Sequence, residues 1–476
     1  MTLHHNDDSN QRSNDDDDDD DDDDDGPVTV IVTRKAKKGK IREFEEWMEN
    51  KMFARTIIAL SISCVLVFSF LVNAVYATTA HENRSKTIRH KDLTIDLGNG
   101  IQTDAELTMP VLANRSLPAI LLIHGIGPLD KDQFIPPDSR DFKQIAEYLS
   151  ERGFVVLRYD KRAIGANDTI EDPDMWYNQT MDDLISDANK ALHTLVDQPE
   201  VDKDNVSVLG GSQGSWIATR IAAGNPFVKN VLLLSTGAEK LGDIIHTQMV
   251  NTTLQYTKEV LDTNHDGFVS LSEVAATENT PYWTYEPLLP SMILVVRNDT
   301  TGYYRFVEGL ETREINSSGG GEEEEAIEID TTLRDFLEQR FQSIFVDTED
   351  RSCPYLLGAG CPPMMRSIAE LDNLSVLGNI SSSSILIIQG GHDLGQPPAQ
   401  AFMLEQKLLD LNHPDHTIIV YPGHGHLLTN IGEDSWIELI GPIPDYILQD
   451  IYSWLTDPDR KLSRQSDMSI ERSPLA

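Results

Sequence analysis

Residues 205–226, NVSVLGGSQGSWIATRIAAGNP, join a strand pattern to a helix pattern through a glycine-rich turn. Asn205 to Leu209 alternate and carry β-branched side chains, which predicts a short buried strand. Gly210-Gly211-Ser212-Gln213-Gly214 follows directly, and Ser215 to Ala223 is typical of a helix. A sharp turn that lifts a hydroxyl above a sheet leaves no room for Cβ atoms two residues on either side. The pattern therefore predicts a nucleophile at Ser212, with a glycine-rich loop around an ordinary serine as the alternative.

The composition limits the classes of protein to which the chain can belong. At 476 residues it has room for one large domain with insertions or for two domains. The formal net charge is −39, and Asp15 to Asp25 is an unbroken run of eleven aspartates. Removing that run still leaves −28. A globular part with this much negative charge argues against nucleic-acid binding, which needs a basic surface.

The N-terminal region predicts a tail followed by a membrane anchor. Residues 1–55 are first acidic and of low complexity and then basic, and we expect a disordered cytosolic tail there. No charged residue occurs from Thr56 to Ala80, and about twenty apolar residues are enough to cross a bilayer. We therefore predict a transmembrane helix over residues 56–79, with the basic flank keeping the N-terminus in the cytosol. Signal-peptidase cleavage after Val75-Tyr76-Ala77 is the alternative.

Sequons for asparagine-linked glycosylation support that topology, because all of them follow the apolar run. They begin at Asn83, Asn114, Asn167, Asn178, Asn205, Asn251, Asn298, Asn316, Asn373 and Asn379. We expect a single-pass membrane glycoprotein whose main domain is luminal or extracellular. In that oxidising compartment Cys353 and Cys361 are expected to form a disulfide, with two free thiols as the alternative.

After residue 86, strand patterns alternate with helix patterns. The predicted strands are Lys91–Leu97 and Ile101–Met109, which form a hairpin, and then 118–124, 154–158, 205–209, 228–235, 384–389 and 416–421. The predicted helices are 141–152, 181–196, 215–223, 398–411 and 444–455, with Pro444 at the first helical position. This alternation predicts an α/β fold, a mostly parallel sheet with helices on both faces. We assign the core to residues 86–237 and 381–458 and expect a disordered tail over residues 459–476.

Two later loops offer the partners that a serine nucleophile needs, namely a base and a carboxylate that fixes its tautomer. Asp393 follows one predicted strand in Gly390-Gly391-His392-Asp393, and His426 follows the next in Pro422-Gly423-His424-Gly425-His426. The order serine, acid, histidine is the one expected after a strand–turn–helix nucleophile. We predict Asp393 as the acid and His426 as the base, with His424 as the rival.

An acyl-transfer site also needs two N–H groups for the developing oxyanion. We predict the backbone N–H of Gln213 as one donor. The second is expected from the loop after the first parallel strand, where Ile126 is the best candidate. His124 in the same loop is interpreted as structural.

Five motifs carry a family resemblance. They are LLIHGIGPLDKD (121–132), FKQIAEYLSERGFVVLRYDKR (142–162), GGSQG (210–214), LIIQGGHD (386–393) and YPGHGHLL (421–428). With them the chain resembles the α/β-hydrolase superfamily, most of all the EstD-like esterases and their dienelactone-hydrolase and serine-aminopeptidase-like relatives. It departs from that pattern with Lys131 in place of arginine and Ala163 in place of glycine. The resemblance implies the α/β-hydrolase fold and hydrolysis of carboxylic esters.

The segment 238–380 departs from that family and is expected to be a helical cap insertion. Residues 262–273, DTNHDGFVSLSE, resemble an EF-hand loop, with helix patterns on both sides. The expected ligands of a structural Ca²⁺ are the oxygens of Asp262, Asn264, Asp266, Phe268 (backbone carbonyl), Ser270 and Glu273. An acidic turn without an ion is the alternative. The sequence shows no second loop to pair with this one, and residues 317–325, SSGGGEEEE, are expected to be flexible.

Together these patterns predict a membrane-anchored serine hydrolase for small-molecule esters that needs no cofactor for its chemistry. A peptidase, an acyltransferase or a thioesterase would use the same three side chains. A non-catalytic calcium-binding surface protein is the alternative from a different class.

Overall fold

The computed structural model describes residues 87–112, 115–135, 139–276, 284–285, 295–297, 304–306, 310–316, 323–345, 362–431 and 438–457. The predicted tails, the predicted membrane helix over residues 56–79 and the Cys353–Cys361 pair lie outside these ranges. Within them, no helix has both the length and the apolar character that a bilayer crossing requires.

Eight strands form the main sheet. They are β1 (Ile88–Gly98), β2 (Ile101–Pro110), β3 (Leu117–Ile123), β4 (Val155–Tyr159), β5 (Val201–Gly211), β6 (Val228–Leu234), β7 (Ser384–Gly390) and β8 (His416–Tyr421). Their order across the sheet is β1-β2-β4-β3-β5-β6-β7-β8. Only the pairs β1–β2 and β2–β4 are antiparallel, and the other neighbours run parallel. The predicted mostly parallel sheet and its N-terminal hairpin are confirmed.

Five helices cover the two faces of this sheet. They are α1 (Asp141–Ser150), α2 (Met181–Val196), α3 (Gln213–Gly224), α4 (Pro398–Asp410) and α5 (Asp445–Thr456). Strand β3 shows why both faces are apolar: Leu121 and Ile123 belong to the core cluster under α2, α3 and α4, whereas Ile120 and Leu122 belong to the cluster under α1 and α5. Successive side chains of a strand point to opposite faces, so a strand covered on both sides has to be apolar throughout.

Several predicted boundaries shift. Strand β5 begins at Val201, four residues before the predicted start, and α3 begins at Gln213, directly after the serine. Pro444 is the N-cap of α5 and not its first helical residue. Helix α2 has the predicted bounds, because Thr180 and Asp183 form a reciprocal capping box at its start.

Short elements occupy the connections of the core. They are strands Phe134–Ile135, Ser139–Arg140, Ile164–Gly165, Thr169–Ile170 and Glu438–Leu439, the 3₁₀ turn Ala166–Asp168 and helix Pro173–Asn178.

Between β6 and β7 the chain leaves the main sheet, and its described part contains both helices and strands. One helical run extends from Leu241 to Leu261 and includes π-helical turns at Thr247–Thr252 and Thr257–Leu261. Further helical elements are Leu271–Ala276, Ile329–Leu333, Arg334–Phe345, Pro362–Ala369 and Leu377–Asn379. The strands are Phe268–Ser270, Thr284–Tyr285, Val295–Arg297, Tyr304–Phe306, Arg313–Asn316 and Glu323–Glu328. The segment is therefore mixed and not purely helical as the sequence led us to expect.

Candidate active site

The turn at Ser212 is tight and strained. Ser212 has φ 50° and ψ −122°, outside the conformations that most L-residues adopt, and its N–H donates to the Leu234 carbonyl at 2.9 Å. A Cβ on Gly210 would lie 2.7 Å from the Ser215 nitrogen, and a Cβ on Gly214 would lie 2.6 Å from the His124 carbonyl oxygen. Both distances are too short for real side chains. The two outer glycines therefore let α3 start against β3 and hold Ser212 at the end of β5.

Three side chains from distant parts of the chain meet at this turn. The Nε2 atom of His426 lies 3.0 Å from Oγ of Ser212, and its Nδ1 lies 2.9 Å and 3.0 Å from the two carboxylate oxygens of Asp393. These are hydrogen-bond distances. The serine follows β5, the acid follows β7 and the histidine follows β8, so all three lie at the C-terminal edge of the parallel strands.

Asp393 is held rigidly in a buried position. Its carboxylate accepts hydrogen bonds from the Gln396 backbone N–H at 2.7 Å and from Nε2 of Gln389 at 2.7 Å. Oε1 of Gln389 in turn accepts the Thr236 N–H at 3.1 Å. Gln389 was not predicted as a site residue, and its place at the end of β7 is the one sequence signal that points to this site.

His426 combines burial with a paired carboxylate. Burial by itself lowers the pKa of an imidazole, but Asp393 and the nearby Glu438 raise it, and the net effect is a pKa above the usual value of 6.5. The rival, His424, points elsewhere: its Nδ1 lies 3.0 Å from the Pro422 carbonyl oxygen and its Nε2 contacts the Tyr446 hydroxyl. The structure thus brings His426, and not His424, to Ser212.

Glu438 is a second buried carboxylate next to this histidine, and no local sequence pattern marks it. It is 4% exposed, and its Oε1 accepts hydrogen bonds from the Leu427 N–H, the Thr429 N–H and the Thr429 hydroxyl at 2.8–3.1 Å. Burial raises the pKa of this carboxyl to about 7, although these donors and His426 lower it. Glu438 also pairs with Tyr285 of the segment between β6 and β7. It therefore links that segment to the turn that carries His426.

The loop after β3 borders the serine. A Cβ on Gly125 would lie 3.4 Å from Cβ of Ser212 and 4.0 Å from its Oγ. Ile126 lines the same cavity as Ser212, and Gln213 is the first residue of α3, where backbone N–H groups have no partner within the helix. His124 is fully buried, and burial together with Lys161 lowers its pKa to about 3. It is therefore a neutral imidazole within the core.

A cavity of about 180 Å³ opens next to Ser212 and His426. Its walls are mainly apolar: Ile126, Leu129, Ile135, Phe142, Ile145, Leu234, Leu427, Leu428 and Ile443. Three further polar side chains, Gln133, Asp141 and Ser235, also line it. Asp141 is buried, and burial raises the pKa of its carboxyl to about 7. A cavity of this chemistry accepts an apolar group beside the serine hydroxyl.

In the loop 262–273, side-chain oxygens accept hydrogen bonds from backbone N–H groups of the same loop. Asp262 accepts the N–H groups of Asp266 and Gly267 at 3.1 Å and 3.0 Å, and Gly267 has φ +84°. Asn264 also accepts the Asp266 N–H, and Asp266 accepts the N–H of Phe268, both at 2.9 Å.

The loop is closed by its last residue. Glu273 accepts the N–H and hydroxyl of Thr263 through one carboxylate oxygen and those of Ser270 through the other. Asp262 and Glu273 are 4% and 9% exposed. Within the described ranges neither of them forms an ion pair, and no three His, Cys, Asp or Glu side chains are gathered closely enough to hold a metal. The oxygen donors fit the chemistry of Ca²⁺, but their side chains point to backbone donors and do not converge.

A short strand inside this loop, Phe268–Ser270, pairs with another strand of the same segment. Phe268–Ser270 pairs antiparallel with Glu323–Glu328, which pairs in turn with Arg313–Asn316. Glu323 to Glu325, expected to be flexible, therefore belong to a strand. These three glutamates pair with Glu314, Ile315 and Asn316, and the acidic composition of the run carries no information on that pairing.

One predicted glycosylation site is also inaccessible. Asn373 is fully buried: its carbonyl accepts the Thr219 hydroxyl at 2.8 Å, and its amide donates to the Gly237 carbonyl at 2.9 Å. This sequon cannot carry a glycan in the folded chain.

Comparisons with known proteins agree with this architecture over part of the chain. Residues 134–266 match the family described as serine aminopeptidase, S33. The esterase EstD of Thermotoga maritima is 31% identical over 164 residues, which are 34% of this chain and 36% of the esterase. The match thus spans about a third of that relative's length.

Solved structures with similar topology include two hydrolases. The α/β-hydrolase GrgF of a Penicillium species has 15% identity and a TM-score of 0.39, covering 71% of this chain and 91% of that one. The acylaminoacyl peptidase of Pyrococcus horikoshii has 12% identity and a TM-score of 0.41, covering 73% of this chain and 39% of that one.

The strand order, the strained serine turn and the partial family match lead to one conclusion. The chain has the α/β-hydrolase fold, and part of it is similar to the esterase EstD and to the serine aminopeptidase family.

Proposed function

We propose that the protein is a serine hydrolase that cleaves carboxylic esters through a covalent acyl-enzyme. The observation that carries this proposal is the chain of hydrogen bonds from Asp393 through His426 to Ser212, at 2.9 Å and 3.0 Å. An imidazole held by a buried carboxylate takes a proton from a serine hydroxyl and keeps the correct tautomer while it does so.

The reaction has two stages. Ser212 Oγ attacks the acyl carbonyl while its proton passes to Nε2 of His426, and the backbone N–H groups of Gln213 and Ile126 stabilise the resulting oxyanion. Collapse of this intermediate breaks the ester bond, and His426 returns the proton to the departing alcohol. Water then attacks the acyl-enzyme with His426 as base, and the carboxylic acid leaves as Ser212 regains its proton. Asp393 stays ionised and stabilises the imidazolium in both stages.

The cavity suggests the size of the acyl group. An apolar cavity of roughly 150 Å³ is known to hold benzene, so about 180 Å³ next to Ser212 fits an apolar group of roughly six to eight non-hydrogen atoms. We therefore propose short or aromatic acyl esters as the substrate class.

A peptidase is the second candidate, because the matched family is described as a serine aminopeptidase. A panel of p-nitrophenyl esters of increasing acyl length, set beside aminoacyl-p-nitroanilides, separates the two. Faster turnover of two- to eight-carbon esters, lost in Ser212→Ala, supports the esterase. Preferential cleavage of the anilides contradicts it, and the absence of any Ser212-dependent turnover contradicts both.

We also propose that residues 238–380 form a cap over the site and that Ca²⁺ stabilises the loop 262–273. Two buried carboxylates without a cationic partner in the described part of the chain favour a bound cation. Asp262, Asn264, Asp266, Ser270 and Glu273 would hold the ion through side-chain oxygens and Phe268 through its carbonyl. The ion would neutralise these carboxylates and fix the loop.

The helical run that ends at this loop also touches the active site. Gln248, on that run, donates to the Gly395 carbonyl, and a Cβ on Gly395 would lie 3.0 Å from Nδ1 of His426. Order in the calcium loop is therefore expected to support the turn that holds Asp393.

Thermal melting tests the calcium proposal on the full chain. Calcium is expected to raise the melting temperature relative to excess chelator, and Glu273→Gln is expected to remove most of that response. Glu324→Gln is the matched control, since Glu324 accepts the Ser272 N–H at 2.7 Å but is not among the expected ligands. Equal melting with calcium and with chelator would reject the site.

For the cellular setting we propose a single-pass membrane protein with a cytosolic N-terminus and a luminal or extracellular hydrolase domain. The uncharged run over residues 56–79, its basic flank and the sequons after it support this topology. Protease protection in sealed microsomes tests it: the hydrolase domain should survive and a tag at the N-terminus should be lost.

A further inference from the structure

Lys161 is a buried amino group directly behind the oxyanion loop; burial lowers its pKa to about 7, although Asp168 raises it. It follows β4, is 4% exposed, and its Nζ donates to the carbonyl oxygens of Gly125 and Gly127, the latter at 2.9 Å. A third acceptor, Oε1 of Gln213, lies at 3.4 Å. An ammonium group has three donors, and burying it is tolerable only when they are used. Lys161 therefore contacts both segments that would supply an oxyanion donor.

Because the peptide bond is planar, the contact of Lys161 with the Gly125 carbonyl also orients the Ile126 N–H. In a trans peptide the C=O of Gly125 and the N–H of Ile126 point in opposite directions. Lys161 binds the carbonyl oxygen of Gly125. Gly125 and Ile126 both line the Ser212 cavity, whereas Lys161 is absent from its described lining. The Ile126 N–H is thereby directed away from Lys161 and toward the cavity.

The second donor is restrained in the same way. Gln213 is 2% exposed and its side-chain oxygen faces the ammonium, so the first residue of α3 is tied to the loop after β3. When Lys161 is protonated, its positive charge on the oxygen side of the peptide also polarises the N–H and makes it a better donor. In a buried site with a low dielectric this effect is not screened by water.

We propose that Lys161 is a positioning residue for the oxyanion hole, which fixes the Ile126 and Gln213 N–H groups relative to each other and increases their donor strength. The inference rests on the proposed hydrolase activity. It assigns a role to the middle residue of the Asp160-Lys161-Arg162 block. The neighbours have other partners: Asp160 accepts the Lys131 N–H, and Arg162 forms a double hydrogen bond with Asp187 at 2.6 Å and 2.8 Å.

The test compares Lys161→Met with Lys161→Gln in the full chain. The assay measures kcat and KM for the best ester of the panel, together with Ki for an alkyl trifluoromethyl ketone. Serine adds to such a ketone and places an oxyanion in the hole. Removing one oxyanion donor outright costs about 10²–10³ in kcat, so disordering a donor without removing it should cost roughly 10- to 100-fold.

For Lys161→Met we expect that loss in kcat, a similar rise in Ki and a KM within about threefold of the wild type. Lys161→Gln keeps an N–H donor without the charge and should recover part of both losses. Lys190→Met is the matched control: Lys190 also donates to a backbone carbonyl, that of Leu97, but in the β1–β2 hairpin. Its kcat and Ki should equal those of the wild type.

Unchanged kcat and Ki in Lys161→Met would overturn the inference, and so would a fall in kcat without a rise in Ki. If circular dichroism shows Lys161→Met to be unfolded, Lys161→Gln alone decides by the same two quantities. A wild-type chain without Ser212-dependent turnover would overturn the proposed function as well, which distinguishes that failure from this one.

Discussion

The three glycines around Ser212 should differ sharply in their tolerance of a methyl group. A Cβ on Gly214 would lie 2.6 Å from the His124 carbonyl oxygen and closer still to that of Ile123. Real Cβ atoms do not come nearer than 3.0 Å, so α3 has to move away from β3 by several tenths of an ångström. The clashing atoms are backbone atoms of a central strand and cannot rotate aside. Overpacking of this kind costs about 1–3 kcal/mol, and we expect Gly214→Ala to lie near the upper end.

Gly211 is the internal control for this reasoning, because a Cβ there meets nothing within 4 Å and its φ is not positive. Gly211→Ala should therefore change the free energy of unfolding by less than about 1 kcal/mol, in the stabilising direction. Gly214→Ala should lower the melting temperature by roughly 4–12 °C. It should also lower kcat, because its shift moves the Gln213 N–H away from the loop after β3. Equal melting temperatures for the two variants would refute this explanation of the glycine spacing.

Three further predictions follow from the same site. Glu438→Gln removes a carboxyl that raises the pKa of His426 when it is ionised. Since His426 must be neutral to act as base, the acidic limb of the kcat/KM profile should move to lower pH, and an unmoved limb would exclude this electrostatic role. Asp393→Asn should reduce kcat by about 10⁴ with little change in KM, because the imidazole loses the partner that fixes its tautomer. A loss of kcat below tenfold in steady-state kinetics would argue against that role. Ala163 has φ +64°, so Ala163→Gly should raise the free energy of unfolding by about 0.5–1 kcal/mol, and a destabilised variant in thermal melting would contradict that reading.

The order of the core elements was readable from the sequence, because β-branched runs and amphipathic helices are local patterns. The meeting of Ser212, Asp393 and His426 was readable for a related reason. Each follows a parallel strand, and the C-terminal ends of parallel strands lie at one edge of the sheet. The choice of His426 over His424 rested on its place at the end of the glycine turn, and the geometry agrees with that choice.

The features that the sequence does not predict are contacts between segments that lie far apart in the chain. Glu438 reaches the His426 turn from a two-residue strand, and Lys161 reaches the oxyanion loop from the end of β4. Nothing near either residue in the chain marks these contacts. The same holds for the pairing of Phe268–Ser270 with Glu323–Glu328. Ala163 has a left-handed φ, a conformation that favours glycine, and no local pattern predicts an alanine in that conformation.

The proposed activity requires above all a reactive hydroxyl at Ser212 that His426 activates. Labelling of the full chain by a fluorophosphonate, with the modified residue located by mass spectrometry, tests this most directly. We predict that Ser212 carries the adduct, that Ser212→Ala abolishes it, and that His426→Ala slows it at least a hundredfold while His424→Ala leaves the rate within a few-fold of the wild type. Labelling at another residue, or at an unchanged rate in His426→Ala, would contradict the account.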